Sequence, residues 1–173
     1  MKRVLTIIIT LSLILAACGS NATGIVTPVL PYNPVNEGWK AIENYKYAYN
    51  TRDANLLAAT LDSEFLHLLK EEDWGDYNGD GTIDSTWGYD LEMTNAQILF
   101  SSCEAIELTL EGLWYYPWPA DSTSESIAFP RNYRMKMYYS YPDSGAVETG
   151  QFTMVCRPDS TDTWYLTHLI DQE

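Results

Sequence analysis

Residues 41–69 read AIENYKYAYNTRDANLLAATLDSEFLHLL, and the fold turns on how they are parsed. Trp39, Ile42, Tyr45 and Tyr49 recur at helical spacing, so one face of a helix is apolar. Asn33-Pro34 supplies a cap and a first-turn proline for its start. The helix is expected to end near Asn50-Thr51. Asp53 then caps a short second helix through Leu56, Leu57 and Leu61. Asp62-Ser63 reads as a turn, and Glu64 to Lys70 as a short strand.

Downstream, Glu71 to Asp84 is an acidic loop, and a third helix is predicted from about Thr86 to Phe100. Its apolar stripe would be Trp87, Leu91 and Ile98, flanked by Met93, Ala96 and Leu99. After Phe100 the apolar period shortens to two. Ile106, Leu108 and Leu110 alternate with Glu107, Thr109 and Glu111, as in a half-buried strand. PWPADSTSES is a loop. In YRMKMYYSY, Tyr133, Met135, Met137, Tyr139 and Tyr141 share one face, and Arg134 and Lys136 the other. Two more strands follow, one through Phe152, Met154 and Cys156 and the last TWYLTHLID. Helices first and antiparallel strands after them predict an α+β domain.

The opening stretch resembles the start of nuclear-transport-factor-2-like (NTF2-like) domains. These begin with a long helix ending near Y-x-x-R-D, here Tyr49 to Asp53, and have a strand after L-D-x-x-F, here Leu61 to Phe65. TWYLTHLIDQE is similar to their final strand. The resemblance covers roughly 36–173. It implies a curved, mainly antiparallel sheet wrapped around helices into a cone. The cone serves as ligand pocket or active site, or is simply filled, and many members pair through the outer face of the sheet. A homodimer through the sheet is therefore expected.

The N-terminus carries an address. Met1-Lys2-Arg3 precedes an apolar run, Val4 to Ala17, that is shorter than the ~20 residues of a membrane span. LAAC, Leu15 to Cys18, resembles the lipobox of bacterial lipoproteins. That resemblance implies a signal peptide at 1–17, acylation of Cys18 and attachment to the membrane through lipid. Gly19 is not the aspartate that retains such proteins at the inner membrane, which points to the outer membrane where one exists. GSNATGIVTPVLPYNPV, 19–35, reads as a tether without a core of its own.

The chain has 173 residues, enough for one domain, and 46% are apolar. Cleavage would remove Lys2 and Arg3 and no acid, moving the formal charge from −14 to −16. A surface so acidic excludes nucleic acid and adhesion to anionic lipid. An exported context permits a disulfide between Cys103 and Cys156; otherwise they are small buried hydrophobes.

DYNGDGTID, Asp76 to Asp84, resembles the first nine positions of EF-hand and dockerin calcium loops. Asp76, Asn78, Asp80, the Thr82 carbonyl and Asp84 alternate so that oxygens face inward, and Gly81 permits the turn. The twelfth position, where the motif has a bidentate acid, is Trp87. Asp90 or Glu92 downstream, or Glu71, Glu72 or Asp73 upstream, would have to complete the shell. The competing reading is a polar turn in which Asp84 or Ser85 caps the next helix.

Two histidines, His67 and His168, lie on predicted strands. NTF2-like ketosteroid isomerases and polyketide cyclases use an Asp or His base with a Tyr or Asp donor in the cone. By that resemblance Tyr45, Tyr49, His67 and His168 are the catalytic candidates. No phosphate loop, dinucleotide fingerprint or nucleophile elbow is present. LWYYPWP, Leu113 to Pro119, offers rings for stacking a sugar or a partner. Taken together, the sequence predicts a lipid-anchored, non-catalytic module with a calcium-stabilised loop that binds a small apolar ligand or an envelope protein. The alternative is a small isomerase, cyclase or hydratase.

Overall fold

The computed structural model describes residues 30–77, 79–112, 114–118 and 125–172. The expected signal segment, Cys18 and most of the tether fall outside them. Helix α1 spans Gly38–Thr51 and α2 Ala54–Thr60. Strand β1, Leu61–Leu68, follows, then a 3-10 turn at Glu71–Asp73 and the short β2, Thr86–Gly88. Helix α3 is Tyr89–Ser102. The remaining strands are β3 Ala105–Glu111, β4 Tyr116–Pro117, β5 Ile127–Ser140, β6 Ser144–Pro158 and β7 Trp164–Asp171.

The order in the sheet is β2-β1-β7-β6-β5-β3, with β4 paired to β5. All neighbours are antiparallel except β1 and β7. That parallel pair joins the first strand to the last and makes the fold long-range. The inner face carries Phe65, Ile106, Leu108, Phe129, Met137, Phe152, Met154, Leu166 and Leu169. Against it pack Ile42, Tyr45 and Tyr49 of α1 and Met93, Ala96 and Phe100 of α3. This is the expected α+β cone.

The R-D pair organises the helices. Arg52 ends α1 in the left-handed conformation, φ 53°. Its guanidinium donates to the carbonyls of Phe100 and Cys103, satisfying the end of α3. Asp53 accepts from the amides of Asn55 and Leu56, capping α2. Asn50 clamps the backbone of Leu108 on β3 from both sides. Gly38 lets α1 start close to the sheet. A Cβ there would lie 2.9 Å from the Phe129 ring.

Several boundaries differ from the sequence reading. α1 starts at Gly38, not at Pro34, because the preceding residues are used otherwise. Asn44, 1% exposed, accepts from the Tyr32 amide and donates to the Tyr32 carbonyl. Val35 is buried, and its carbonyl accepts from Trp164 N–H. The last residues of the expected tether thus belong to the core. Asp62-Ser63 lies inside β1, whose pairing with β7 is irregular between Leu61 and Leu66. Thr86–Gly88 is a strand and not the first turn of α3, because Trp87 pairs in register with His67. Ile98 faces out, 45% exposed, and Phe100 takes the core position. β5 starts at Ile127, well before Tyr133, and Tyr139 and Tyr141 are exposed.

Cys103 and Cys156 are both free and buried, so the disulfide is not formed. Register explains it. Cys103 stands just before the end of β3 that pairs with Tyr138, whereas Cys156 pairs with Ile127 at the other end of β5. That span is roughly 35 Å at ~3.3 Å per residue, against Cα separations of ~4.4–6.8 Å for a disulfide.

Candidate functional site

Among the described residues, a buried ionisable cluster of the cone forms around His67. Alternation on β1 turns His67 inward beside Phe65 and exposes Leu66. In the parallel pair His67 is in register with Leu169, so Asp171, two residues on, also faces inward. His67 Nε2 lies 3.1 Å from Asp171 Oδ1. Glu92, in the first turns of α3, approaches from the other side, with Oε2 3.7 Å from His67 Nδ1. That distance is within ion-pair range but too long for a hydrogen bond, so Nδ1 is buried without one.

Glu92 has other donors. Tyr49 OH donates to Oε1 at 3.1 Å, and Trp87 Nε1 to Oε2 at 2.8 Å. The edge of the Trp87 ring packs on the imidazole, with centroids 4.6 Å apart. Burial opposes a charge on His67. The hydrogen bond to Asp171 and the nearby Glu92 outweigh it and raise its pKa to about 9. Burial, reinforced by the Glu92 charge, pushes the Tyr45 and Tyr49 phenols far up, so both stay neutral. The cluster is therefore an imidazolium held between two carboxylates, with phenol and indole donors closing one of them.

Space around it is scarce. Tyr45, Tyr49, Phe65, Met93, Phe100, Phe152 and Met154 fill the cone. Two hollows lie on the surface of the described residues, and the larger reaches Phe65 and Trp87 beside the cluster. One, of about 660 Å³, runs along the β1 edge and the start of α3. The other, of about 170 Å³, sits on Thr109, Glu111 and Asn132–Arg134. Asp171 is the member of the cluster nearest to water, with a side chain 20% exposed.

The structure thus gathers three of the four catalytic candidates, Tyr45, Tyr49 and His67, and separates the fourth. His168 faces the opposite side of the sheet beside Val155, close to the Thr167 hydroxyl, and burial lowers its pKa. Sequence reasoning missed Glu92 and Asp171 as the partners of His67. Glu92 stands four residues before Ala96, on the buried face of α3, and that spacing was the available signal for it. Nothing local signals Asp171, because its role depends on the β1–β7 pairing.

The acidic loop is closed by paired backbone bonds between Gly75 and Asp84. Asp76 accepts from the amides of Gly79, Asp80 and Gly81 at 2.8, 3.1 and 3.0 Å. Gly79 and Gly81 have φ of 76° and 87°, so the expected turn at Gly81 is present. Asp80 accepts from Thr82 N–H, and Asp84 from Tyr77 N–H. Asn78 lies outside the described residues. Among those described, no three His, Cys, Asp or Glu side chains converge as a metal cluster. Glu92 points into the cone, so it does not complete a shell on the loop.

No family model and no curated protein matches the sequence. Solved structures match in shape. A conserved protein from Planctomyces limnophilus superposes with a TM-score of 0.59 at 10% identity, over 77% of this chain and 90% of its own. A nuclear transport factor 2-like superfamily protein from Salmonella enterica gives 0.56 at 11% identity, over 77% and 85%. A ketosteroid isomerase-like protein from Erwinia carotovora gives 0.54 at 11% identity, over 80% and 94%. At such identities the likeness is one of fold.

Proposed function

We propose, from the NTF2-like fold that the chain shares with these structures, that it is a lipid-anchored, exported and non-catalytic module. Its cone serves as a packed core, and its outer surface does the binding. The observation that carries this is the enclosure of His67 between Asp171 and Glu92 in a packed cone. A general base needs a pKa near the working pH. With a pKa of about 9, His67 is already protonated at neutral pH, and its two carboxylates are turned toward it. The filled cone moves any small ligand to the surface and leaves an envelope protein as the better partner.

The rival reading, an isomerase or dehydratase, has one supporting observation, the partial exposure of Asp171 beside His67. One assay separates the two. Purified protein is incubated with β-hydroxy ketones and β,γ-unsaturated ketones, and products are followed by mass spectrometry. We expect no turnover. Turnover that disappears in His67→Gln would make the chain an enzyme.

The reading includes calcium on the acidic loop. The positive φ angles at Gly79 and Gly81 and the amide-cradled Asp76 support it. A carboxylate has several acceptor sites, so the amides that Asp80 and Asp84 hold do not bar them from an ion, but the loop offers only about five protein ligands against the roughly six to eight that calcium takes. That shortfall places the affinity in the weak range of extracellular modules, ~10⁻⁴–10⁻³ M.

A further inference from the structure

We propose that the aromatic surface around the start of α1 is the face that the domain lays on the bilayer. The proposal rests on acylation of Cys18, since the anchor brings this end of the domain to the membrane. Chain leading from Cys18 reaches the described structure at Leu30, which packs against the core. Asn44 then fixes the chain at Tyr32, so the route from the lipid arrives at one defined place.

Aromatic rings crowd that place. The Tyr32 and Trp39 rings meet edge to face, with centroids 5.1 Å apart. Gly38, next to Trp39, sits on the Phe129 ring, and Phe129 in turn touches Tyr115. Trp114 stacks on Tyr116 at 5.7 Å, and its carbonyl accepts from Arg131, whose guanidinium lies over Phe129. Trp39, Trp114 and Tyr115 are 39%, 60% and 65% exposed. The buried Phe129 ring backs both Gly38 and Tyr115, so the exposed rings of Trp39 and of Trp114–Tyr115 stand on segments that share one support near the anchored end of the chain.

Charge beside Trp39 is paired. Glu37 accepts from Trp39 Nε1 and pairs with Lys40, which also lies over the Trp39 ring. The acidic loop, by contrast, joins β1 to β2 at the opposite edge of the sheet from β4. The molecule can therefore bring rings to the lipid while its acidic loop stays away. Tryptophan and tyrosine favour the headgroup level, where the ring is buried and the polar tip stays wet. A net acidic chain is repelled by anionic lipid, so the matching partner is a zwitterionic surface.

The test uses the full chain, produced with labelled palmitate in a bacterial host and reconstituted into phosphatidylcholine vesicles with brominated acyl chains. Acylation is read from the label, and membrane contact from quenching of tryptophan fluorescence. We expect label on the wild type, none on Cys18→Ser, and quenching that is lost in a Trp39→Phe/Trp114→Phe variant. Label without quenching overturns the proposed face and leaves the anchor standing. Absence of both overturns both. Quenching without label keeps the face and removes the anchor. Quenching that persists in the double variant places other tryptophans at the lipid and overturns the proposal. So does an emission shift on adding soluble oligosaccharide without lipid quenching, which would assign the rings to carbohydrate.

Discussion

At the scale of single residues, His67 links stability to pH. Its pKa is raised from an ordinary 6.5 to about 9 by Asp171 and Glu92, against the opposing effect of burial. The folded value exceeds the unfolded one. The resulting stability is fully present below about pH 6.5 and is lost as pH rises through about 9. A shift of this size corresponds to about 3 kcal/mol. His67→Gln should therefore be destabilised by that order at pH 6 in urea unfolding. The gap between the two proteins should close progressively toward pH 10. A gap that does not vary with pH would mean that the imidazole is neutral and merely packed. The cysteines give a second check at this scale. Burial raises the Cys156 thiol far above the usual range and Cys103 less so. In a Cys18→Ser protein both thiols should resist a thiol reagent until unfolding, and reductant should leave Tm unchanged. A Tm that falls in reductant would restore the disulfide.

At the scale of elements, the β5–β6 hairpin depends on a glycine. A Cβ on Gly145 would lie 2.1 Å from the backbone oxygen of Met137 across the ladder, which no rotamer relieves. Gly145→Ala should cost on the order of 1–3 kcal/mol in denaturant unfolding, as overpacking does. A neutral result would mean that the two strands separate there at no cost. The acidic loop is the other element to test. Calcium at ten times its Kd should add about 1.4 kcal/mol, a few degrees in Tm, with magnesium ineffective and Asp80→Asn abolishing the response. Equal Tm in EDTA and in 10 mM calcium would reduce the loop to a turn held by the amides on Asp76. These two elements also mark what the sequence made legible. Helix α1, the Asp53 cap, α3 and the alternating β3 follow from local periodicity and were readable. The start of β5 was not, because the polar stretch DSTSES, 121–126, and Pro130 hide a strand held by pairing with β6 along its whole length. Trp87 was misassigned for a related reason. Its helical spacing from Leu91 is real, but a three-residue strand against His67 outweighs it. The candidate site was half legible. Tyr45, Tyr49 and His67 were candidates through the family resemblance, whereas Glu92 and Asp171 reach His67 only through long-range contacts.

At the scale of the whole molecule, the decisive question is where the folded body begins. Loose composition between Gly19 and Val35 suggested a tether through Val35, yet prolines and small residues say nothing against docking once a partner surface exists. That surface is Asn44, whose buried amide is satisfied on both atoms by the Tyr32 backbone. Val35 beneath it is 8% exposed, and Trp164 N–H at the start of β7 bonds to its carbonyl. Burial of one valine is worth about 1.5–3 kcal/mol, and stranding the Asn44 amide costs a further ~1–3 kcal/mol. A chain beginning at Asn36 should therefore unfold several kcal/mol more easily than one beginning at Asn21. A double-mutant cycle isolates the clasp. Asn44→Ala should destabilise the longer chain by ~1–3 kcal/mol. In the shorter chain it should be neutral or stabilising, since it removes a polar group that has lost its partner. Equal losses in both chains would show that Asn44 acts within the core alone. The non-additive outcome would place the start of the domain at Leu30 and shorten the free connection to Cys18, which holds the aromatic surface of α1 close to whatever the anchor is inserted in.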